Sequence, residues 1–218
     1  METLVPSPSL KDVLYHRIKA LLLGGQLVQG QIYSAQHFAD LFGSSRTPAR
    51  EALLRLTGEN FLVCLDVRGF KVREFTTQEI QNVFEMRRMV EAHVMRRLVE
   101  AGASEDIRQL DAALKTMRAS AAKNDLLAFL EADREFHMVA VRRTDNKFLA
   151  ATIDQIRNYI TLCAQRALEK EGRFDEVLTE HAAVLAAVRK RDESRAVEAM
   201  MKHLANSEAS LMANLRGE

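Results

Sequence analysis

Tryptophan is absent from this 218-residue chain, and proline and glycine are scarce, with three and nine copies. So few chain breakers exclude a loop-rich fold and favour a mainly helical protein with short connections. The two cysteines, Cys64 and Cys163, lie far apart with no C-x-x-C pattern. That usage suits a reducing compartment and argues against a cysteine metal site, and both residues read as small buried hydrophobes. No apolar run reaches the length of a membrane span, and no charged-then-apolar signal opens the chain, so a soluble, cytoplasmic protein with no membrane partner is expected. Neither sign of charge dominates: 31 Lys and Arg face 30 Asp and Glu, a net of +1. Residues 1–75 hold nine basic against seven acidic side chains, too small an excess for a global field. Any anionic partner must be gripped by local clusters such as Arg46, Arg50, Arg68 and Lys71.

The 47% hydrophobic content is enough for two modest cores. The first is written in residues 1–75. Leu10 to Leu23 has helical apolar spacing and ends at Gly24-Gly25. Ser34 to Phe42 follows as a second helix, with Ala39 small enough for close helix approach and Gly43 suited to a left-handed turn. A third helix opens at Ser45 as N-cap with Pro48 in its first turn. Arg46 and Arg50, four residues apart, leave by one face while Ala49, Ala52 and Leu53 turn inward. Exposed guanidiniums on such a helix suit the DNA major groove, whereas Arg55 reads as an ordinary surface arginine. Phe61–Leu65 and Gly69–Arg73 read as two strands joined by a turn over Asp66-Val67-Arg68-Gly69. Three helices and a hairpin make a winged helix-turn-helix.

Thr76 and Glu79 have capping-box spacing and open the second domain, 76–218. Six helices are expected there, over about 77–101, 104–123 (capped by Ser104), 125–142, 146–170, 174–190 and 193–215. Short connections make neighbours antiparallel, giving an all-α six-helix bundle. Four of the six histidines fall in it. Asp133 and His137, at i and i+4, share a helix face. His181 and His203 stand about equally far from the turn near Arg191-Asp192, hence roughly 15–17 Å from it at 1.5 Å per residue and level with each other in an antiparallel pair. Asp133, His137, His181 and His203 could thus hold a divalent metal ion, zinc first, or nickel, manganese or iron(II). Spacing alone also permits ordinary core histidines, the class to which His37 and His93 belong; His16 carries no signal.

These residues resemble the GntR superfamily of bacterial transcriptional regulators, in the FCD-domain subgroup that includes FadR. The resemblance runs from about Leu10 to His203. It rests on Ala39-x-x-x-Gly43-x-Ser45-Arg46-Thr47-Pro48-x-Arg50-Glu51-Ala52-Leu53-x-Arg55-Leu56 in the first domain. In the bundle it rests on Glu85-x-Arg87, Glu91, Asp133-x-x-Phe136-His137, Asn146, Glu180-His181 and Met201-Lys202-His203-Leu204. Six bundle helices look more similar to the VanR-type branch than to the acyl-CoA-responsive FadR type. The proline usual before the glycine of the family's Gly25–Gly30 loop is missing, which alters loop stiffness more than function.

The resemblance implies that Arg46 and Arg50 contact bases and phosphates, that Thr47 adds a backbone contact and that Gln36 also reaches DNA. It places Gly69, with Arg68, at a wing tip entering the minor groove. It makes Asp133, His137, His181 and His203 metal ligands, and Arg87 the partner of an effector carboxylate, although Arg87 could instead form a surface salt bridge with Glu91 at i+4. The expected protein is a homodimeric, ligand-responsive regulator, with repression the expected direction. It reads a pseudo-palindromic operator in double-stranded DNA and answers a small organic acid bound at a metal. A metal-ion sensor is the nearest alternative. A metalloenzyme is disfavoured, because no further Glu/His constellation supplies a general base and the DNA-binding signature would be idle.

Overall fold

The computed structural model describes residues 9–168 and 172–216. It separates into two compact units, Met1–Glu74 and Phe75–Glu218.

The first unit contains α1 (Leu10–Leu23), β1 (Ile32–Tyr33), α2 (Ala35–Phe42), α3 (Arg46–Gly58), β2 (Leu62–Cys64) and β3 (Phe70–Val72). Ser9 and Ser34 cap α1 and α2 by accepting hydrogen bonds from Asp12 and His37 N–H. Ser45 holds the N-cap position of α3 with extended backbone but makes no side-chain cap bond. Gly43 ends α2 in the left-handed conformation (φ 63°, ψ 41°), the turn that a side chain would strain. Ala39, 1% exposed, lets α2 lie close to α3. The core is apolar: Leu14, Ile18, Leu22, Phe38, Ala49, Leu53, Leu56, Phe61 and Val72 are all buried.

The hairpin is more than the expected pair of strands. β1, two residues long, pairs antiparallel with β3 to make a three-stranded sheet of order β1-β3-β2. The turn over Asp66–Arg68 is a single 3₁₀ turn, with Asp66 at φ 49°.

The second unit holds α4 (Thr77–Ala101), α5 (Ser104–Ala122), α6 (Leu126–Arg142), α7 (Lys147–Leu168), α8 (Arg173–Arg189) and α9 (Glu193–Arg216). These are the six bundle helices anticipated from the pattern. Thr76 and Glu79 form the capping box in full. Asp125 caps α6, and Asn146 accepts from the N–H groups of Phe148 and Leu149 at the start of α7. The cap of α5 is Ala103, without a side-chain bond, and Ser104 is already helical. The left-handed Gly102 ends α4 so close by that the chain re-enters helix one residue earlier than a serine cap would allow. The expected end of α7 at Lys170 lies outside the described residues.

Consecutive hairpins α5–α6 and α8–α9 pack tightly, and α9 returns against α4, so the first and last bundle helices are neighbours. Phe75, buried, meets the Tyr159 ring at 5.3 Å and starts this unit rather than ending the other. Cys64 and Cys163 are part-exposed rather than buried: both lie at the margin of their units, not in the packed cores.

Candidate functional site

In the winged unit, α3 buries Ala49, Ala52, Leu53 and Leu56 and turns Arg46, Thr47 and Arg50 to solvent. Neither Arg46 nor Arg50 has an ionic partner among the described residues. Arg55, on the same helix, is engaged: it pairs with Asp12 at 3.2 Å and Glu59 at 3.6 Å, and lies over the Tyr15 ring at 3.7 Å. Arginines left unpaired on a rigid helix keep their donors for another molecule. Gln36, exposed in the first turn of α2, donates to Asp40 at 2.7 Å.

At the wing, Arg68 is exposed and Val67 is 99% exposed. Gly69 is not the tip. It sits half-buried at φ 114°, where a Cβ would stand 2.6 Å from the Tyr33 carbonyl oxygen on β1, so its task is to let the hairpin close against that strand. Lys71 is paired with Glu74 at 2.5 Å, which removes it from the expected free basic cluster.

In the bundle, the ligand-offering atoms of Asp133, His137, His181 and His203 lie within 4.8 Å of one another, all four residues buried. Helices α6, α8 and α9 supply them. His181 and His203 rings are 4.4 Å apart, and His137 is 5.4 and 5.3 Å from them. Each histidine has its Nδ1 committed to an oxygen acceptor. His181 donates to the Val177 carbonyl at 2.8 Å, His203 to Glu180 at 2.7 Å, and His137 to Glu91. With the proton on Nδ1, the lone pair is left on Nε2. Nε2 of His137 and Nε2 of His181 are buried with no hydrogen-bond partner. Nε2 of His181 also stands 3.1 Å from Oδ1 of Asp133. Two lone-pair-bearing atoms in contact are relieved by a shared cation, and Nδ1-anchored imidazoles are the usual support of metal ligands. The donor set therefore fits a divalent ion.

Electrostatics keeps these donors in the form a metal needs. Burial lowers His137 to about 3 against the opposing pull of Glu91, and lowers His203 to about 4, with His181 adding to the effect. Burial would raise Asp133, but Arg157, His181 and His137 outweigh it and hold the carboxyl well below its ordinary range. Glu180 falls to about 2 despite burial, through its bonds from His203 and Asn206.

Beside the cluster lies a small cavity of about 50 Å³. Arg87, Arg157, Arg173, Asp133 and His203 line it, with an apolar wall that includes Phe129, Leu130 and Ile160. Arg87 is 1% exposed and pairs with Glu91 at 2.7 Å. The pair is thus buried, not the surface salt bridge that i,i+4 spacing allowed. Arg157 on α7 pairs with Asp133, and Arg173 on α8 pairs with Glu180 at 3.2 Å. Sequence reasoning missed Arg157 and Arg173. A faint signal existed for Arg157, which interrupts the apolar stripe Ile153, Ile156, Ile160; Arg173 gave none.

Comparison with known proteins fits this geometry. Residues 10–72 match the family model for bacterial regulatory proteins of the gntR family, and residues 82–206 match the FCD domain. An HTH-type transcriptional regulator of Bacillus subtilis, YdhC, is 22% identical over 87% of this chain and 85% of its own length. The gluconate operon transcriptional repressor of the same species is 25% identical over 85% of this chain and 78% of its own. The structure of Escherichia coli McbR/YncC shares the fold, with a TM-score of 0.80 over 96% of this chain and 100% of that one, at 22% identity. The family's members are transcriptional regulators rather than enzymes, and among the described residues no helix is long and apolar enough to cross a membrane. This chain belongs to the gntR family of bacterial regulatory proteins, as an N-terminal helix-turn-helix domain followed by an all-helical FCD domain.

Proposed function

We propose that this protein is a homodimeric repressor of a metabolic operon, acting in the cytoplasm and released from DNA by a small carboxylate bound beside a divalent metal ion. One observation carries the effector half of this reading. Three histidines with committed Nδ1 protons turn toward Asp133 at the edge of a cavity lined by guanidiniums. Asp133, His137, His181 and His203 would hold the ion, zinc first, with nickel, manganese or iron(II) as the other fits. The bound ion would supply a positive charge that attracts a carboxylate oxygen. Arg87 would orient the same acid by charge-assisted hydrogen bonds.

Residues 1–74 would be the output end and residues 75–218 the effector-binding and dimerising end. Two winged units related by a two-fold axis would read a pseudo-palindromic operator in double-stranded DNA. Arg46 and Arg50 would enter the major groove, Thr47 and Gln36 would support them, and Arg68, carried on the turn that Gly69 closes, would lie along the minor groove. Effector binding would favour one bundle conformation over another, and DNA affinity would change by that coupling. The gluconate operon repressor among the relatives makes sugar acids the first compounds to screen.

The test combines metal analysis with operator binding. His181→Ala should lose most of its metal and its response to carboxylates while still binding operator; full metal occupancy in that variant would remove His181 from the ligand set. DNA release that follows the metal concentration alone, with no response to any acid, would identify an ion sensor instead.

A further inference from the structure

We infer that the bundle cavity selects a dianion: a small dicarboxylate with one carboxylate beside the metal and the other among Arg87, Arg157 and Arg173. This rests on the metal and effector reading above and narrows its ligand class.

The charge balance of the buried cluster carries the inference. Three buried arginines line the cavity, and each already has a carboxylate partner: Glu91 for Arg87, Asp133 for Arg157 and Glu180 for Arg173. Glu176 also meets Arg173, but its side chain is 66% exposed and screened by water. Histidines that ligate a metal do so as neutral imidazoles. The cluster is therefore formally neutral before an ion enters, and a divalent ion leaves it with two uncompensated positive charges. Buried charge without a counter-charge is costly. A monocarboxylate answers half of the excess, and a dicarboxylate answers all of it.

A second observation points the same way. Nη2 of Arg87 and Nε of Arg157 are buried donors without hydrogen-bond partners. They belong to two different guanidiniums, and the carboxylates already paired with those arginines leave them unmet. A carboxylate bound to the ion through one oxygen can meet one of these guanidiniums with the other, so the second guanidinium calls for a second set of acceptors. Thr161, Ser207 and Ser210 line the same cavity and could bind hydroxyl groups on the ligand's carbon chain.

Calorimetry on the full-length, metal-loaded protein tests this with matched pairs that differ by one carboxylate: malate against lactate, and succinate against butyrate. In each pair the dianion should bind roughly tenfold or more tightly, as expected for an added charge-assisted contact. Stripping the metal should shrink that preference, because the cluster's own charges then cancel. Arg173→Gln lowers the site's excess charge by one and should narrow the malate-to-lactate ratio by roughly tenfold. Should that variant fail to fold, the wild-type ratios decide alone. Equal affinities within both pairs would overturn the dianion while leaving a carboxylate effector standing. Failure of all four acids to bind the metal-loaded protein would sink the effector reading and this inference together.

Discussion

The two units put arginine to opposite uses. In the winged unit Arg46, Arg50 and Arg68 stand exposed and unpaired over a core in which, among the described residues, no acidic or basic side chain is buried. In the bundle Arg87, Arg157 and Arg173 are buried, each tied to a carboxylate, and they share the interior with Asp133, His137, His181 and His203. An apolar core with charge outside is a rigid platform for an anionic partner that arrives from solvent. A core crossed by ionic and imidazole groups trades some stability for sensitivity to protons.

The largest test of that contrast is Glu91→Ala. Removing one partner of the buried Arg87–Glu91 pair, which also anchors His137, should cost roughly 3–5 kcal/mol of bundle stability, read by urea or thermal unfolding. A loss below about 1 kcal/mol, the scale of a surface pair, would show that water reaches the pair.

Acid comes next. Folded His137 and His203 titrate at about 3 and 4, below the ordinary histidine value of 6.5, so the unfolded chain binds protons that the folded chain refuses. Their contribution to stability is full above about pH 6.5 and is lost as pH falls toward those folded values. Glu91, Asp133 and Glu180, all depressed, add loss of the same sign at lower pH. The melting temperature of the metal-free protein should therefore drop between pH 7.5 and pH 5. A flat profile across that range would contradict buried neutral histidines.

The smaller effects separate the arginines of α3. Arg46→Ala should weaken operator binding by about 1–3 kcal/mol and blunt sequence discrimination. Arg55→Ala should leave operator affinity nearly unchanged and cost at most about 1 kcal/mol of stability, since it loses a ring contact and two half-exposed ion pairs. Equal losses of DNA affinity in both variants would erase the distinction between free and engaged arginines.

Most of the architecture could be read from local pattern, because local chemistry decides it. Gly43 after a short amphipathic helix and Thr76 with Glu79 are a turn and a cap whose energetics span four residues. The failures are local decisions overruled from outside. Ser104 has the right chemistry for a cap, yet the geometry of Gly102 and Ala103 starts the helix one residue earlier. β1 is two residues long and has no periodicity to detect; it is a strand only because β3 lies beside it. Gly69 fits a turn tip by sequence but is held at the base of the turn by Tyr33.

The candidate site divides along the same line. Asp133 with His137, and His181 level with His203, follow from helical rise and short loops, so the chain by itself determined that these four could meet. The i,i+4 geometry of Arg87 and Glu91 is identical on a buried and an exposed face. Only the return of α9 against α4 and the packing of α6 decided that the pair lies inside. Arg157 and Arg173 depend wholly on tertiary structure, since a lone arginine on a helix carries no mark of burial. Periodicity reports which side of a helix is apolar. It takes the folded bundle to decide which charges face one another across its interior.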